Sequence, residues 1–201
     1  MDINTTRLRC LLGWLAILLS WIVVIFAGIF PKSISATWYT QACTPFMIIL
    51  GSASILLISY KGYEKFDDIL TTITGLFGFG ICLFPTKPVE GLGIKLPLPF
   101  PISYQASNII HVACAIVFFV LLAYNSFFLF TKSNGKITKE KEKRNIIFRI
   151  CAIGMLASFS LMLLPEFYIQ TWLMEMFALT FFGVSWLTKA NYYPWLFADK
   201  K

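Results

Sequence analysis

Two ionisable side chains stand out in this sequence because each lies inside a long apolar stretch. Glu175 lies in the stretch that follows Pro165, and His111, the one histidine of the chain, opens the stretch that follows Asn108. A charged group near the centre of a bilayer costs at least about 2.5–3.5 kcal/mol, so such residues usually have a partner or a function. A carboxylate and an imidazole stabilise each other in a medium of low dielectric constant. Glu175 and His111 are therefore the first candidates for a site.

This pair has a functional and a structural interpretation. As functional groups, His111 and Glu175 would form a general acid–base or proton site. They would alternatively bind a lipid or another ligand, with polar neighbours in the segment after the first apolar stretch, namely Ser33, Ser35 and Tyr39. As structural groups, they would be a hydrogen-bonded pair that holds two helices together, which is a common role for polar residues in membranes. The structural interpretation is favoured.

Several other chemistries do not fit the sequence. One histidine is too few for a histidine-rich zinc site or a bis-histidine haem, and no P-loop, nucleophile-elbow or dinucleotide motif is present. The five cysteines contain no C-x-x-C pair, so we interpret them as apolar packing residues. A disulfide among Cys43, Cys82 and Cys114 is the alternative. We expect no metal and no cofactor.

The composition indicates a membrane protein. Apolar residues make up 58% of the chain and charged residues 13%, whereas soluble domains have about 45–50% and about 25%. The formal net charge of +7 does not form a basic stripe, because the Lys and Arg residues lie between apolar runs. Nucleic acid is therefore not an expected partner.

The apolar runs predict an all-α fold, a single domain over residues 1–201 that is a bundle of six transmembrane helices. Prolines and charged residues separate the runs. We expect the third helix to begin after Asp67 and Asp68, and the fourth after Ser107 or Asn108, since these side chains can cap free backbone N–H groups. The predicted spans are about 8–30, 43–60, 67–85, 107–131, 146–164 and 168–188.

The distribution of basic residues predicts the orientation. Of the 17 Lys and Arg residues, the outer segments would hold only Lys32, Lys87 and Lys95 if the amino terminus is inside. Positive charge is retained on the cytoplasmic side, so both termini are predicted to be cytoplasmic. The basic segment 132–144 is expected to be a cytoplasmic loop that sets this topology, with generic contact to anionic lipid headgroups as the alternative. In this frame His111 and Glu175 lie at similar depths in the outer half.

Two short motifs resemble a known family. Residues 31–35, with the sequence Pro-Lys-Ser-Ile-Ser, are similar to a P-x-I-S-type outer loop, and residues 110–115 are similar to an I-H-x-x-G-A motif with Cys114 in place of the glycine. Both motifs occur in the six-helix DRAM and Frag-type (PGAP-like) membrane family and its uncharacterised bacterial relatives. Ala36 stands where that family often has an acidic residue. The resemblance implies a role in lipid handling or membrane organisation and transfers no set of catalytic residues.

The sequence suggests three functions. The leading hypothesis is a non-enzymatic, multi-pass membrane protein that binds lipids or organises the membrane. Membrane lipids would be its ligands, and another membrane protein or a second copy of the chain its partner. The alternative is a small membrane enzyme that acts on an outer-leaflet lipid through His111 and Glu175. A transporter or channel subunit comes third, because few interior residues are polar. The bacterial inner membrane is favoured as the location.

Overall fold

The computed structural model describes residues 3–88, 98–133, 135, 137–162 and 171–192 of the chain. These residues form six α-helices and no strand, so the all-α prediction is confirmed. The helices are α1 (Ile3–Ala27), α2 (Cys43–Ser59), α3 (Lys65–Leu83), α4 (Tyr104–Tyr124), α5 (Lys139–Met162) and α6 (Thr171–Lys189). A short 3-10 helix, Ser35–Tyr39, lies between α1 and α2, and a π-helical turn, Asn125–Leu129, follows α4.

The helices form a closed ring, because helices adjacent in the chain pack side by side and α6 packs against α1. The start of α1 and the end of α2 meet where Arg9 donates a hydrogen bond to the Tyr60 hydroxyl at 3.3 Å. Trp186, near the end of α6, packs against the same tyrosine. We call the end of the bundle at which Arg9 and Tyr60 meet the basic end. At the opposite end, Trp172 near the start of α6 packs against Phe30 beyond α1.

Four helices are long and apolar enough to cross a membrane: α1, α3, α5, and α4 together with its π-helical turn. The helix α2 is equally apolar but has 17 residues. Large apolar side chains are exposed on the outer faces of the ring, among them Ile25, Ile48, Ile109 and Ile153. Exposed apolar surface on this scale fits a lipid environment rather than water.

Two helix starts differ from the prediction. The helix α4 begins at Tyr104 because the Ser103 hydroxyl caps it by accepting the Ala106 amide, so neither Ser107 nor Asn108 is the cap. The helix α3 begins at Lys65, before the two aspartates. Their carboxylates accept hydrogen bonds from backbone amides of the preceding loop and do not cap their own helix. Each correction arises because the sequence offers several cap residues within one turn.

The basic segment 132–144 is not a loop throughout, which corrects the prediction. The helix α5 begins at Lys139, two turns earlier than the predicted span, because the Thr138 hydroxyl accepts the Lys141 amide at 3.2 Å. Glu140 and Glu142 occupy its first turn, where acidic side chains favour the helix dipole. The predicted outer end of the fifth span and the start of the sixth fall on residues 163–170, outside the described residues.

The helices α1 and α6 approach closely at two glycines. A Cβ atom on Gly183 would lie 2.5 Å from the Gly13 carbonyl oxygen, and one on Gly13 would lie 2.9 Å from the Gly183 carbonyl oxygen. Small residues at such crossings let helix backbones come together in membranes. This contact closes the ring and brings the start of α6 beside the end of α1.

A buried ion pair joins the start of α3 to the segment after α4. Asp67 is 2% exposed, and its carboxylate lies 3.0 Å from the ammonium of Lys132, which also contacts Glu64 at 3.2 Å. The hydrogen bond to Asp67 raises the pKa of Lys132 above its ordinary value. The stabilisation is therefore complete at neutral pH, and it is lost as the pH rises through that raised pKa.

We predict that Lys132→Ala lowers the free energy of unfolding by about 2–3 kcal/mol, because the buried Asp67 carboxylate loses its cation. Lys61→Ala is the matched control, since Lys61 pairs with Asp68 at 3.5 Å with a side chain that is 81% exposed. The control should change stability by no more than about 0.5 kcal/mol. Unfolding of the detergent-purified variants measures both values, and equal losses would contradict a special role for the Asp67 pair.

Candidate functional site

The site is built around the segment 31–39, which lies across the end of the bundle opposite the basic end. The helix α1 stops at Gly28, which adopts a φ of 68°, a left-handed conformation that glycine accepts without strain. The chain then turns back over the helix ends. Three contacts fix it there: the Trp172 amide donates to the Lys32 carbonyl at 3.0 Å, the Ile34 amide donates to Glu175, and the Trp38 indole donates to the Cys82 carbonyl at 3.3 Å.

Within this segment, the two serines have different roles. The Ser33 hydroxyl accepts the Ala36 amide at 3.0 Å and so bonds to the backbone of the 3-10 helix. The Ser35 hydroxyl, in the first turn of that helix, instead points to α4, where it lies 3.0 Å from Nε2 of His111. The 3-10 helix thus directs Ser35 toward the ionisable groups.

The other ring nitrogen of His111 determines its tautomer. Nδ1 of His111 lies 2.7 Å from the carbonyl oxygen of Phe84, at the end of α3. A carbonyl can only accept a hydrogen bond, so Nδ1 carries a proton. In a neutral imidazole, Nε2 is then the acceptor, and the Ser35 hydroxyl donates to it.

Glu175 approaches Ser35 from the other side. Its carboxyl group accepts the amide of Ile34, the residue that precedes Ser35. Glu175 and His111, on α6 and α4, are therefore joined through the adjacent residues Ile34 and Ser35. The structure brings the two candidate residues to one place, with this short segment as the bridge.

These contacts define the arrangement of the polar groups. Ser35 has a single hydroxyl proton, which it donates to His111, and Glu175 accepts the amide of the preceding residue, Ile34. We call Glu175, Ser35 and His111 the relay, because they lie in series between α6 and α4.

This relay lies at one end of a cavity of about 210 Å³ between the helices. The polar lining consists of Ser33, Ser35, Thr86, His111, Thr171 and Glu175. The remaining lining is apolar: Leu19, Ile34, Phe46, Leu50, Ile81, Val112, Ala115, Phe118, Phe119, Phe159, Met162 and Leu179. A mostly apolar cavity with a few convergent polar groups is the usual form of a small-molecule site.

Four of the five residues singled out from the sequence line this cavity, and Tyr39 does not. Tyr39 is buried, and its hydroxyl donates to the Thr86 carbonyl at 2.5 Å. Burial, followed by the nearby Tyr104, raises the pKa of Tyr39 to about 12, so its hydroxyl stays protonated at neutral pH. Tyr39 supports the wall of the cavity through Thr86.

The sequence alone did not point to Phe84 or Thr86. Phe84 contributes only its carbonyl oxygen, which any residue could provide. The one available signal is Pro85, because a proline ends the helix at this point and leaves nearby carbonyls free to accept side-chain donors. Ser107 uses the same break, since its hydroxyl donates to the Pro85 carbonyl at 2.7 Å.

The cysteines take no part in the relay. All five thiols are free, so no disulfide links Cys43, Cys82 and Cys114. In the described part of the chain, no group of three or more His, Cys, Asp and Glu side chains is placed to hold a metal ion. Comparison of the chain with protein-family models, curated proteins and solved structures found no match. The function is therefore inferred from the site itself.

We predict that Ser35→Ala lowers the free energy of unfolding by about 1–3 kcal/mol, because Nε2 of the buried His111 loses its hydrogen-bond partner. Ser160→Ala is the matched control, since Ser160 is exposed on α5, and its effect should be within about 0.5 kcal/mol. Thermal unfolding in detergent compares the two variants. If they have the same stability, Ser35 does not bridge the two helices.

Proposed function

We propose that this chain is a six-span membrane protein with both termini in the cytoplasm. The strong bias of Lys and Arg toward one side supports this orientation. The shorter helix α2, with 17 residues, would measure about 26 Å, close to the hydrocarbon thickness of about 30 Å. The closed ring supports the span count, because α2 and α6 each pack between helices that are long enough to cross.

We infer that the protein binds a membrane lipid in the outer half of the bilayer, without catalysing a reaction on it. The observation that carries this proposal is the apolar cavity with the Glu175–Ser35–His111 relay at one end. An apolar chain would fill the region around Phe118 and Phe119, and a polar group such as a hydroxyl or an ester would bond to the relay.

The size of the cavity limits the ligand. Its volume of about 210 Å³ is below the roughly 300–1,000 Å³ that drug-sized ligands occupy. A single acyl chain or part of one fits this space better than a complete two-chain lipid. Val112, at the rim of the lining, is exposed on the outer face of α4, which gives lipid a route in from the bilayer.

We predict that Ala115→Phe abolishes lipid binding without disrupting the fold, because the larger side chain occupies the cavity. Ala113→Phe is the matched control, since Ala113 lies on the same helix, is exposed and does not line the cavity. Mass spectrometry of lipids that co-purify with each variant measures binding. A specific lipid should be retained by the wild type and the control and lost from Ala115→Phe.

His111→Ala tests the polar half of the same site. It removes the imidazole that holds Ser35 and should reduce the amount of the same lipid. A lipid content that is identical in the wild type, Ala115→Phe and His111→Ala would contradict binding in this cavity.

A second candidate function is ester hydrolysis or acyl transfer, favoured by the unprotonated Nε2 of His111 facing Ser35. The Ser35 oxygen would attack the ester carbonyl carbon while its proton passes to Nε2. The bond to the alcohol would then break, with that proton going to the leaving oxygen, and water would hydrolyse the acyl-serine. In serine hydrolases a carboxylate orients the histidine through Nδ1, whereas here a backbone carbonyl does so. Because a carbonyl rather than a carboxylate bonds to Nδ1 of His111, catalysis ranks second to lipid binding.

A fluorophosphonate probe with an alkyl chain distinguishes the two functions, because it forms a covalent bond to activated serines with loss of fluoride. If the protein is an enzyme, the probe should label Ser35. His111→Ala should then slow the labelling at least about 100-fold through loss of the general base. Peptide mass spectrometry locates the label. Absence of label on Ser35 in a folded wild-type sample from which the bound lipid has been removed would exclude the catalytic function.

Transport and the choice of partners are the remaining points of the proposed function. Transport stays third, because the lining away from the relay is apolar and offers an ion or polar solute few partners. Resemblance to the DRAM and Frag-type family agrees with a lipid-related role and adds no residue to the site. Membrane lipids are the proposed ligands, with a second copy or another membrane protein as a further partner.

A further inference from the structure

An apolar groove lies on the outer surface of the bundle, between the end of α4 and the middle of α5. Its volume is about 310 Å³, and its lining residues differ from those of the cavity beside the relay. Two buried alanines, Ala123 of α4 and Ala152 of α5, form the floor. The exposed side chains of Val120, Phe128 and Ile153 form the rims. A small floor between large apolar rims has the shape that a hydrocarbon chain can fill.

The groove runs along the two helices. On the α4 side it extends from Val120 to Phe127 in the π-helical turn, a distance of about 10 Å along the helix axis. The π-helical turn leads to Phe130, whose ring packs against Trp186 at the basic end. The Phe127 end of the groove is therefore the end nearer the basic end of the bundle. An acyl chain in the groove would lie parallel to the helices.

A cation lies at this end of the groove. Arg149 is exposed on α5, three residues before Ala152. Its guanidinium carbon lies 5.7 Å from the ring centroid of Phe127, which lines the groove. The aromatic face attracts the guanidinium and so holds it beside the groove. Residues 145–153 of α5 contain no Asp or Glu, so the neighbouring residues of its own helix provide no carboxylate.

The position of Arg149 along α5 is unusual for a charged residue. It lies inside the fifth apolar run, which the sequence predicts as a span over 146–164. An arginine in such a run is costly unless its long side chain reaches the polar boundary of the bilayer. At that boundary a lipid phosphate is the available anion, and a guanidinium can donate two parallel hydrogen bonds to it.

We propose that the groove and Arg149 together bind one anionic phospholipid from the leaflet at the basic end of the bundle. One acyl chain lies over Ala123 and Ala152, and the phosphate accepts hydrogen bonds from Arg149. Basic pockets between membrane helices bind anionic headgroups in this way. A second copy of the chain is the less suitable occupant, because it would bury Arg149 against apolar side chains at a high cost.

The test identifies which lipids stay bound to the full-length protein in native mass spectrometry. The protein, in an uncharged detergent, receives equal amounts of dioleoyl phosphatidylglycerol and dioleoyl phosphatidylcholine, which have the same acyl chains and differ in net charge. The ratio of the two adducts separates the groove from the cavity beside the relay, because the lining residues named for that cavity include no Lys or Arg. Failure of one lipid site is thus distinguishable from failure of the other.

Two pairs of variants address the two parts of the site. Arg149→Met removes the cation, and Lys143→Met is its matched control, since Lys143 is exposed on the same helix. Ala152→Leu fills the floor of the groove and leaves Arg149 in place. Ala157→Leu is the matched control, since Ala157 is exposed on α5 and is not among the lining residues. The melting temperature of each variant shows whether it is folded, and the Arg149 pair does not depend on the folding of Ala152→Leu.

We expect the wild type and both controls to retain phosphatidylglycerol over phosphatidylcholine by about fivefold, the preference that one basic residue gives at an anionic headgroup. Arg149→Met should lower this ratio to about one, because the charge is lost. Ala152→Leu should lower the amount of bound phosphatidylglycerol at least about fivefold, because the added methyl groups occupy the space of the acyl chain.

Four results would overturn the proposal. Equal retention of the two lipids by the wild type would exclude a charge-selective site. An equal loss of the preference in Arg149→Met and Lys143→Met would indicate diffuse attraction to the basic surface. Full retention of phosphatidylglycerol by a folded Ala152→Leu would exclude an acyl chain in the groove. A lipid-free dimer of the wild type that Ala152→Leu dissociates would show that a second copy covers the groove.

Discussion

The cavity end of this protein depends on the hydrogen bond between the Ser35 hydroxyl and the His111 ring. In an apolar medium, buried polar groups need partners within the protein. The Ile34 amide is a partner for Glu175 on α6, and the Ser35 hydroxyl is one for His111 on α4. These two helices are not neighbours in the ring. The 3-10 helix between α1 and α2 thus connects two helices that α5 separates in the ring.

Buried polar groups have different kinds of partner at the two ends of the bundle. At the cavity end, Glu175 accepts the Ile34 amide, and His111 bonds to the Phe84 carbonyl and the Ser35 hydroxyl. At the basic end, Asp67 neutralises Lys132, while Lys189 lies between the rings of Tyr63 and Phe130. The cavity therefore combines a mainly apolar lining with a few polar groups at one place.

Much of the fold could be predicted from the sequence, because apolar runs of this length have few alternatives to membrane helices. Helix starts were less certain. Ser103 rather than Ser107 or Asn108 caps α4, and Thr138 starts α5 within what was expected to be a loop. Cap residues are frequent near both positions, and only the surrounding packing selects among them. The sequence also singled out His111 and Glu175, since ionisable groups in apolar runs are rare.

What the sequence determined by itself is the composition of each apolar run, the all-α fold, the charge asymmetry and the identity of the rare ionisable groups. What only the tertiary structure decided is how those groups connect. Ile34 and Ser35 bridge the pair, the Phe84 carbonyl selects the histidine tautomer, and Lys189 lies against the rings of Tyr63 and Phe130. These contacts join residues far apart in the chain through single atoms. Their positions follow from how six helices and one short loop pack, which no local pattern of residues encodes.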